Sequence, residues 1–142
     1  MQGLPHYYTA SASGGPDGLI PLQSPGLEDL NTDAPAEFGG SGDYWSPETL
    51  LVGAVANCFI LTFRALSRKA GLKWTNLRVS AEGTLDKSAD GLRFSEFVIT
   101  AHLDSHESDP ATVRTLLEKS KKHCLITNSL TGDCELRIES EA

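Results

Sequence analysis

Cysteine is scarce in this chain and never closely paired: Cys58, Cys124 and Cys134 are the three among 142 residues. No C-x-x-C step exists and His6, His102, His106 and His123 are scattered, so nothing seeds a four-coordinate zinc site, and no disulfide framework is implied. Basic residues are also short, 12 Lys and Arg against 19 Asp and Glu, a formal charge of −7. Nucleic acids and anionic lipid surfaces both require clustered Lys and Arg, so neither is expected as a partner. The longest apolar run, Leu50 to Phe63, falls short of the ~20 residues that span a bilayer and contains Asn57, Cys58 and Thr62; it reads as a core helix. No basic and apolar leader opens the chain, and no glycine-rich phosphate loop or nucleotide fingerprint occurs, so no secretory signal and no nucleotide site are expected. An odd cysteine count fits a reducing cytoplasm, where thiols stay free until used.

What is present describes one globular domain over residues 1–142, with 39% apolar and 22% charged residues. His6 to Ser13 is β-prone, Gly14-Gly15-Pro16-Asp17-Gly18 is a dense turn signal, and Leu19 to Leu22 resumes an extended pattern, which predicts a hairpin. Ser24 to Asp43 reads as a long loop rich in Gly, Pro, Asn and Asp, of the kind that borders an active site or wraps a dimer partner. Ser46-Pro47-Glu48 is a helix start: the serine caps free N–H groups, proline loses nothing at the first helical position, and the glutamate complements the dipole.

That helix is expected to run to about Lys69, with Gly71 just past its end. Leu50, Leu51, Ala54, Val55, Cys58, Leu61 and Thr62 fall at helical spacing, which puts Cys58 on a core-facing stripe. Because Val52, Ala56, Phe59, Ile60 and Phe63 make the other faces apolar too, the helix is expected to be buried nearly all round. Trp74 to Asp86 and Leu92 to Leu103 alternate as two antiparallel strands about a turn at Lys87 to Gly91. A helix capped by Ser108 or Asp109, with Pro110 at its first position, continues to about Lys122. A further helical turn over Leu125 to Leu130 and a strand over Cys134 to Ile138 complete an α+β order, β-β-α-β-β-α-β.

Cys58 and Cys124 lie on separate predicted helices, 124 − 58 = 66 residues apart. Two readings stand side by side: inert packing thiols, or a nucleophile and a resolving partner. A mid-helix thiol gains nothing from its own dipole, and an apolar surrounding alone raises its pKa, so activation requires tertiary neighbours. Glu48 reads as a partner of the helix dipole. Tyr44 and Trp45 read either as a channel wall or as a hydrophobic staple. Cys134 and Trp74 are most simply packing residues.

The stretch from Trp45 to Phe59, with Glu48 and Cys58 ten residues apart (58 − 48), resembles the signature helix of the OsmC/Ohr family of thiol-dependent peroxidases. Lys122 to Leu130 resembles that family's second cysteine motif, and the element order agrees from Tyr7 to Ile138. The resemblance implies an OsmC-like fold in an intertwined homodimer with a long central helix against antiparallel sheet. It implies organic hydroperoxides as substrate, Cys58 as the attacking thiolate, Cys124 as the resolving thiol and Glu48 as an orienting carboxylate. It further implies no metal or organic cofactor, and re-reduction by a small or protein dithiol. On one straight helix ten residues span roughly 15 Å, so a Glu48 facing Cys58 must come from the partner chain or from a break near Gly53.

One position departs from the family pattern. Its peroxidases place an arginine beside the reactive sulfur, from the first hairpin turn or the loop after it, whereas the first arginine here is Arg64. Arg64, Arg68, Lys121 and His123 are candidate replacements, each also readable as a solvated helix-end charge. Loss of peroxidase chemistry would leave an OsmC-fold protein that binds a lipid-like small molecule, and a dimer with inert buried thiols is a third expectation.

Overall fold

The structure is a computed structural model that describes residues 2–104 and 106–139. The chain groups into two compact units, residues up to Leu50 and residues from Leu51 onward, with the boundary inside a helix turn.

The first unit is a three-stranded antiparallel sheet in the order β1 (Ser11–Ala12), β2 (Ile20–Gln23), β3 (Leu30–Thr32). The expected hairpin forms, but its first strand is short, and Tyr7 and Tyr8 remain exposed. Ser24 to Asp43 is not one continuous loop. Ser24-Pro25-Gly26-Leu27 closes a β-turn through Leu27 N–H to the Ser24 carbonyl at 3.1 Å, with Gly26 at φ +78, and so delivers β3 beside β2. Three residues are too few for a legible alternation among so many turn formers, which is why β3 escaped the pattern. A single 3₁₀ turn follows at Ala36–Phe38.

Helix α1 (Pro47–Ala70) begins as its cap residues dictate. Thr49 N–H donates to Ser46 Oγ at 3.1 Å and Ser46 N–H donates to Thr49 Oγ1 at 2.8 Å, a reciprocal cap. The helix continues through Gly53 without a break and stops before Gly71, at φ +72. By length and composition α1 could cross a bilayer, but its Val55, Phe59, Phe63 and Ser67 stripe packs into the core of the second unit. Burial all round is not what one chain provides. Asn57 and Leu61 are exposed, Leu61 by 50%, and Cys58 is half-buried beside the core stripe, not on it. With apolar residues on every face, spacing could not say which stripe the sheet would cover.

That sheet is formed by β4 (Leu77–Ser88), β5 (Gly91–Leu103) and β6 (Asp133–Glu139) in the order β4-β5-β6. β4 and β5 are the expected antiparallel pair, turning at Ser88 to Gly91, with Gly91 at φ +105. Phe97, Ile99, Ala101 and Leu103 of β5 face the core. Phe94 sits three positions before Phe97, an odd step that would put them on opposite faces. A bulge at Ser95 absorbs the extra residue, and the two rings stack at 5.4 Å. β6 pairs with β5 in parallel, so the sheet is mixed where an antiparallel one was expected. A parallel neighbour needs a crossover, and α2 (Pro110–His123) with α3 (Leu125–Asn128) supplies it. Asp109 caps α2 by accepting from Thr112 N–H at 2.8 Å, and Val113, Leu116 and Leu117 close the core. Trp74, expected in a strand, instead makes an isolated bridge with His106, donates to Ser67 Oγ at 2.9 Å and meets Phe63 edge-on at 5.2 Å.

Phe59 is wholly buried at the centre of this cluster. Phe59→Ala is expected to lower stability by about 3–5 kcal/mol through lost burial and a residual cavity, read as a reduced urea midpoint with an unchanged slope.

Candidate active site

Three elements build the site. α1 presents Cys58 on its half-buried flank, one turn before Thr62, whose Oγ1 lies 3.9 Å from the Cys58 sulfur. The end of α2 and the start of α3 meet at Cys124, which takes an extended backbone (φ −68, ψ 110) and is wholly buried. The short α3 then turns its first N–H groups toward Cys58.

The electrostatics of the two thiols diverge. Burial alone would raise the Cys58 pKa; hydrogen bonds from the Ile126 backbone, the Cys124 thiol, Thr62 and the Leu125 backbone outweigh it, and the thiol lies below its ordinary value. Cys124 moves the other way. Burial raises it first, the Cys58 sulfur raises it further, and donation from Thr127 offsets only part. The pair is therefore polarised: Cys58 ionises first, and Cys124 is the neutral donor beside it. All three cysteines are free thiols.

Among the described residues it is hydrogen-bond donors that hold the Cys58 thiol down, with no cation beside them. Of the candidate replacements for the missing arginine, Arg64, Arg68 and His123 are exposed, and Lys121 acts on Cys134 instead. The donors that the sequence did not reveal are the backbone N–H groups of Leu125 and Ile126. The one signal for them was the helical turn directly after Cys124, since the first N–H groups of any helix have no internal partner.

Glu48 belongs to the first unit. Its Oε1 is buried without a hydrogen-bond partner, and the residue lines an apolar groove of about 520 Å³ with Ala12, Ile20, Leu22, Phe38 and Leu50. No Lys or Arg precedes Arg64, so that segment carries no Lys or Arg to pair with it. Tyr44 and Trp45 are about half exposed, and Trp45 fixes the helix entry by bridging Thr32 and accepting from Asp33 N–H at 3.0 Å. Among the described residues no His, Cys, Asp and Glu group is arranged to hold a metal.

An α+β chain thus presents one lowered thiol on a capped helix to a second, buried thiol at a helix junction. The chain belongs to the OsmC-like protein family, whose pattern matches residues 40–139. An uncharacterized protein of Bacillus subtilis (strain 168), YmaD, is 26% identical over 110 residues, covering 75% of this chain and 73% of that one. An OsmC-like protein of unknown function from Vibrio cholerae superposes with a TM-score of 0.87 at 16% identity, covering 95% of this chain and 100% of the other. An organic hydroperoxide resistance protein from Elizabethkingia anophelis does so with a TM-score of 0.79 at 22% identity over 99% of both chains. The α+β OsmC-like fold expected from the sequence is thus the fold observed.

Proposed function

We propose that the protein is a thiol-dependent peroxidase that reduces organic hydroperoxides through Cys58 and Cys124. The observation that carries this reading is the polarised thiol pair: a lowered Cys58 supplied with backbone donors and adjoining a Cys124 that stays protonated. The Cys58 thiolate attacks the terminal peroxide oxygen, the O–O bond breaks, and the alcohol leaves as Cys58 becomes a sulfenic acid. Cys124 then condenses with the sulfenic acid, releasing water and closing a disulfide. A small or protein dithiol returns both sulfurs to the reduced state, and no metal or organic cofactor takes part. The naming of several structural relatives as organic hydroperoxide resistance proteins supports the substrate class.

In the same reading the working form is a cytoplasmic homodimer. Exposed apolar side chains, Leu61 on α1 and Leu4, Tyr7 and Tyr8 in the first unit, are then covered by the second copy. In this dimer Glu48 serves as orienting carboxylate from the partner chain, a reading that the unbroken course of α1 through Gly53 supports. Light scattering at micromolar concentration is expected to give twice the 15.2 kDa chain mass; a monomer would remove this role for Glu48.

The experiment is stoichiometric. Reduced protein given cumene hydroperoxide without reductant is expected to consume one equivalent per chain and to lose two thiols. No consumption, together with saturable binding of a fatty acid, would replace the enzyme with a lipid-like ligand carrier.

A further inference from the structure

Cys134 is a thiol that the reaction above leaves unused. It is the second residue of β6, opposite Phe97, and is half-buried, so it is not sealed away like Cys124. It lines an open cleft of about 750 Å³ together with Lys121, Lys122, Thr127 and Asn128. Thr127 belongs to α3 and donates to the Cys124 carbonyl at 3.2 Å, so the wall of this cleft lies within one helical turn of the resolving cysteine. The charges at the cleft are unevenly committed. Arg114 is 4.0 Å from Glu118, and Glu135 is 3.2 Å from Arg137, while Lys121 and Lys122 enter no ion pair among the described residues. A protein of net charge −7 thus holds two lysines around a thiol whose cleft is walled by Thr127, three residues past Cys124.

A disulfide between Cys58 and Cys124 poses a problem of access. Its Cys124 sulfur is wholly buried, whereas a reducing thiolate must approach along the S–S axis. We propose that Cys134 is a third redox thiol, which takes the disulfide from Cys58 by exchange at Cys124 and presents it to an anionic dithiol in the lysine-lined cleft. The inference rests on the Cys58 and Cys124 pair proposed above. In the exchange Cys134 gives up its proton and its sulfur bonds to Cys124, while the Cys58–Cys124 bond breaks and Cys58 leaves as a thiolate. The number of disulfides is unchanged and no outside oxidant is needed. The dithiol then attacks the Cys134 sulfur, its second thiol closes on the mixed disulfide, and Cys124 and Cys134 are released as thiols.

The direction of attack follows from the leaving groups. A thiol with a lower pKa leaves faster, and Cys58 is the lowered member of the pair. Burial holds the Cys134 thiol up and Lys121 pulls it back, and Cys124 is the other titratable group that acts on it. The exchange also returns Cys58 at once to the form that attacks peroxide.

No Lys or Arg lies between Cys124 and Cys134, and none precedes Arg64, so trypsin separates the outcomes. Protein oxidised with one equivalent of cumene hydroperoxide, then alkylated and digested, is expected to yield the His123 to Arg137 peptide lighter by two hydrogens, with Cys58 alkylated. Cys134→Ser is expected to keep the first equivalent of peroxide consumption and to show Cys58 cross-linked to Cys124. Its steady turnover with dimercaptosuccinate is expected to fall roughly tenfold, and less with neutral dithiothreitol. A Cys58–Cys124 cross-link in wild type with Cys134 alkylated, and unchanged turnover in Cys134→Ser, would overturn the relay. Diamide, which forms disulfides without peroxide, keeps the two proposals apart. A Cys124–Cys134 bond under diamide without peroxide consumption sinks the peroxidase and keeps the relay; a Cys58–Cys124 bond under both oxidants sinks the relay alone.

Discussion

Cys58→Ser is expected to reduce kcat/KM for cumene hydroperoxide by on the order of 10³-fold or more, to the rate of peroxide with solvent-exposed thiols. Four donors converge on the Cys58 sulfur and overcome the cost of its burial. They have nothing to act on in serine, whose hydroxyl stays protonated at neutral pH and cannot displace an alkoxide from an O–O bond. Cys58 is half-buried and lies off the core stripe, so its loss costs little packing; an unchanged urea midpoint in the variant separates lost chemistry from lost fold. Retention of a substantial fraction of the wild-type rate would move the nucleophile elsewhere.

Cys124→Ser is expected to behave differently: the first equivalent of peroxide is still consumed, but steady turnover falls at least roughly tenfold because the sulfenic acid has no resolving thiol. Left unresolved, Cys58 climbs to the sulfinic acid under excess peroxide, visible as the addition of two oxygens to the Cys58 peptide. Cys124→Ala in addition removes one of the donors that lower Cys58, so the rate of that variant is expected to fall more at pH 6 than at pH 8. Persistent multiple turnover without over-oxidation would mean that another thiol, Cys134 foremost, resolves Cys58 directly.

The parts of the fold that were legible in the sequence are those set by local chemistry. Ser46-Pro47 announced the start of α1 and Gly71 its end, Asp109-Pro110 announced α2, and alternation gave β4 and β5, because caps, prolines and period-two patterns act within a few residues. What was hidden depends on partners far along the chain. The three residues of β3 become a strand through their pairing with β2, and the parallel setting of β6 is decided by the α2–α3 crossover. The buried stripe of α1 is chosen by the sheet that covers it, which is why Cys58 moved from the core face to its flank.

The site divides in the same way. Both cysteines were legible as candidates from their motifs, and the structure brings them together. The means of activation was not legible. A replacement for the arginine would be a charged side chain, whereas two of the donors are main-chain N–H groups at the entry of α3, which any residue but proline would supply. Glu48 was equally hard to place, since its buried and unpartnered oxygen follows from the folding of β1 to β3 around the helix start.

The account stands on the ionisation of one sulfur, and its most direct test is the pH dependence of Cys58 alkylation by iodoacetamide, followed by mass spectrometry of the Cys58 peptide. A lowered thiol is reactive above its folded-state pKa and loses reactivity as pH falls through it, so the predicted curve has its midpoint below the ordinary value of a free cysteine thiol and is flat above that midpoint. A midpoint at or above that value would contradict the account, because a thiol in this half-buried position with no effective donors is silenced by its surroundings.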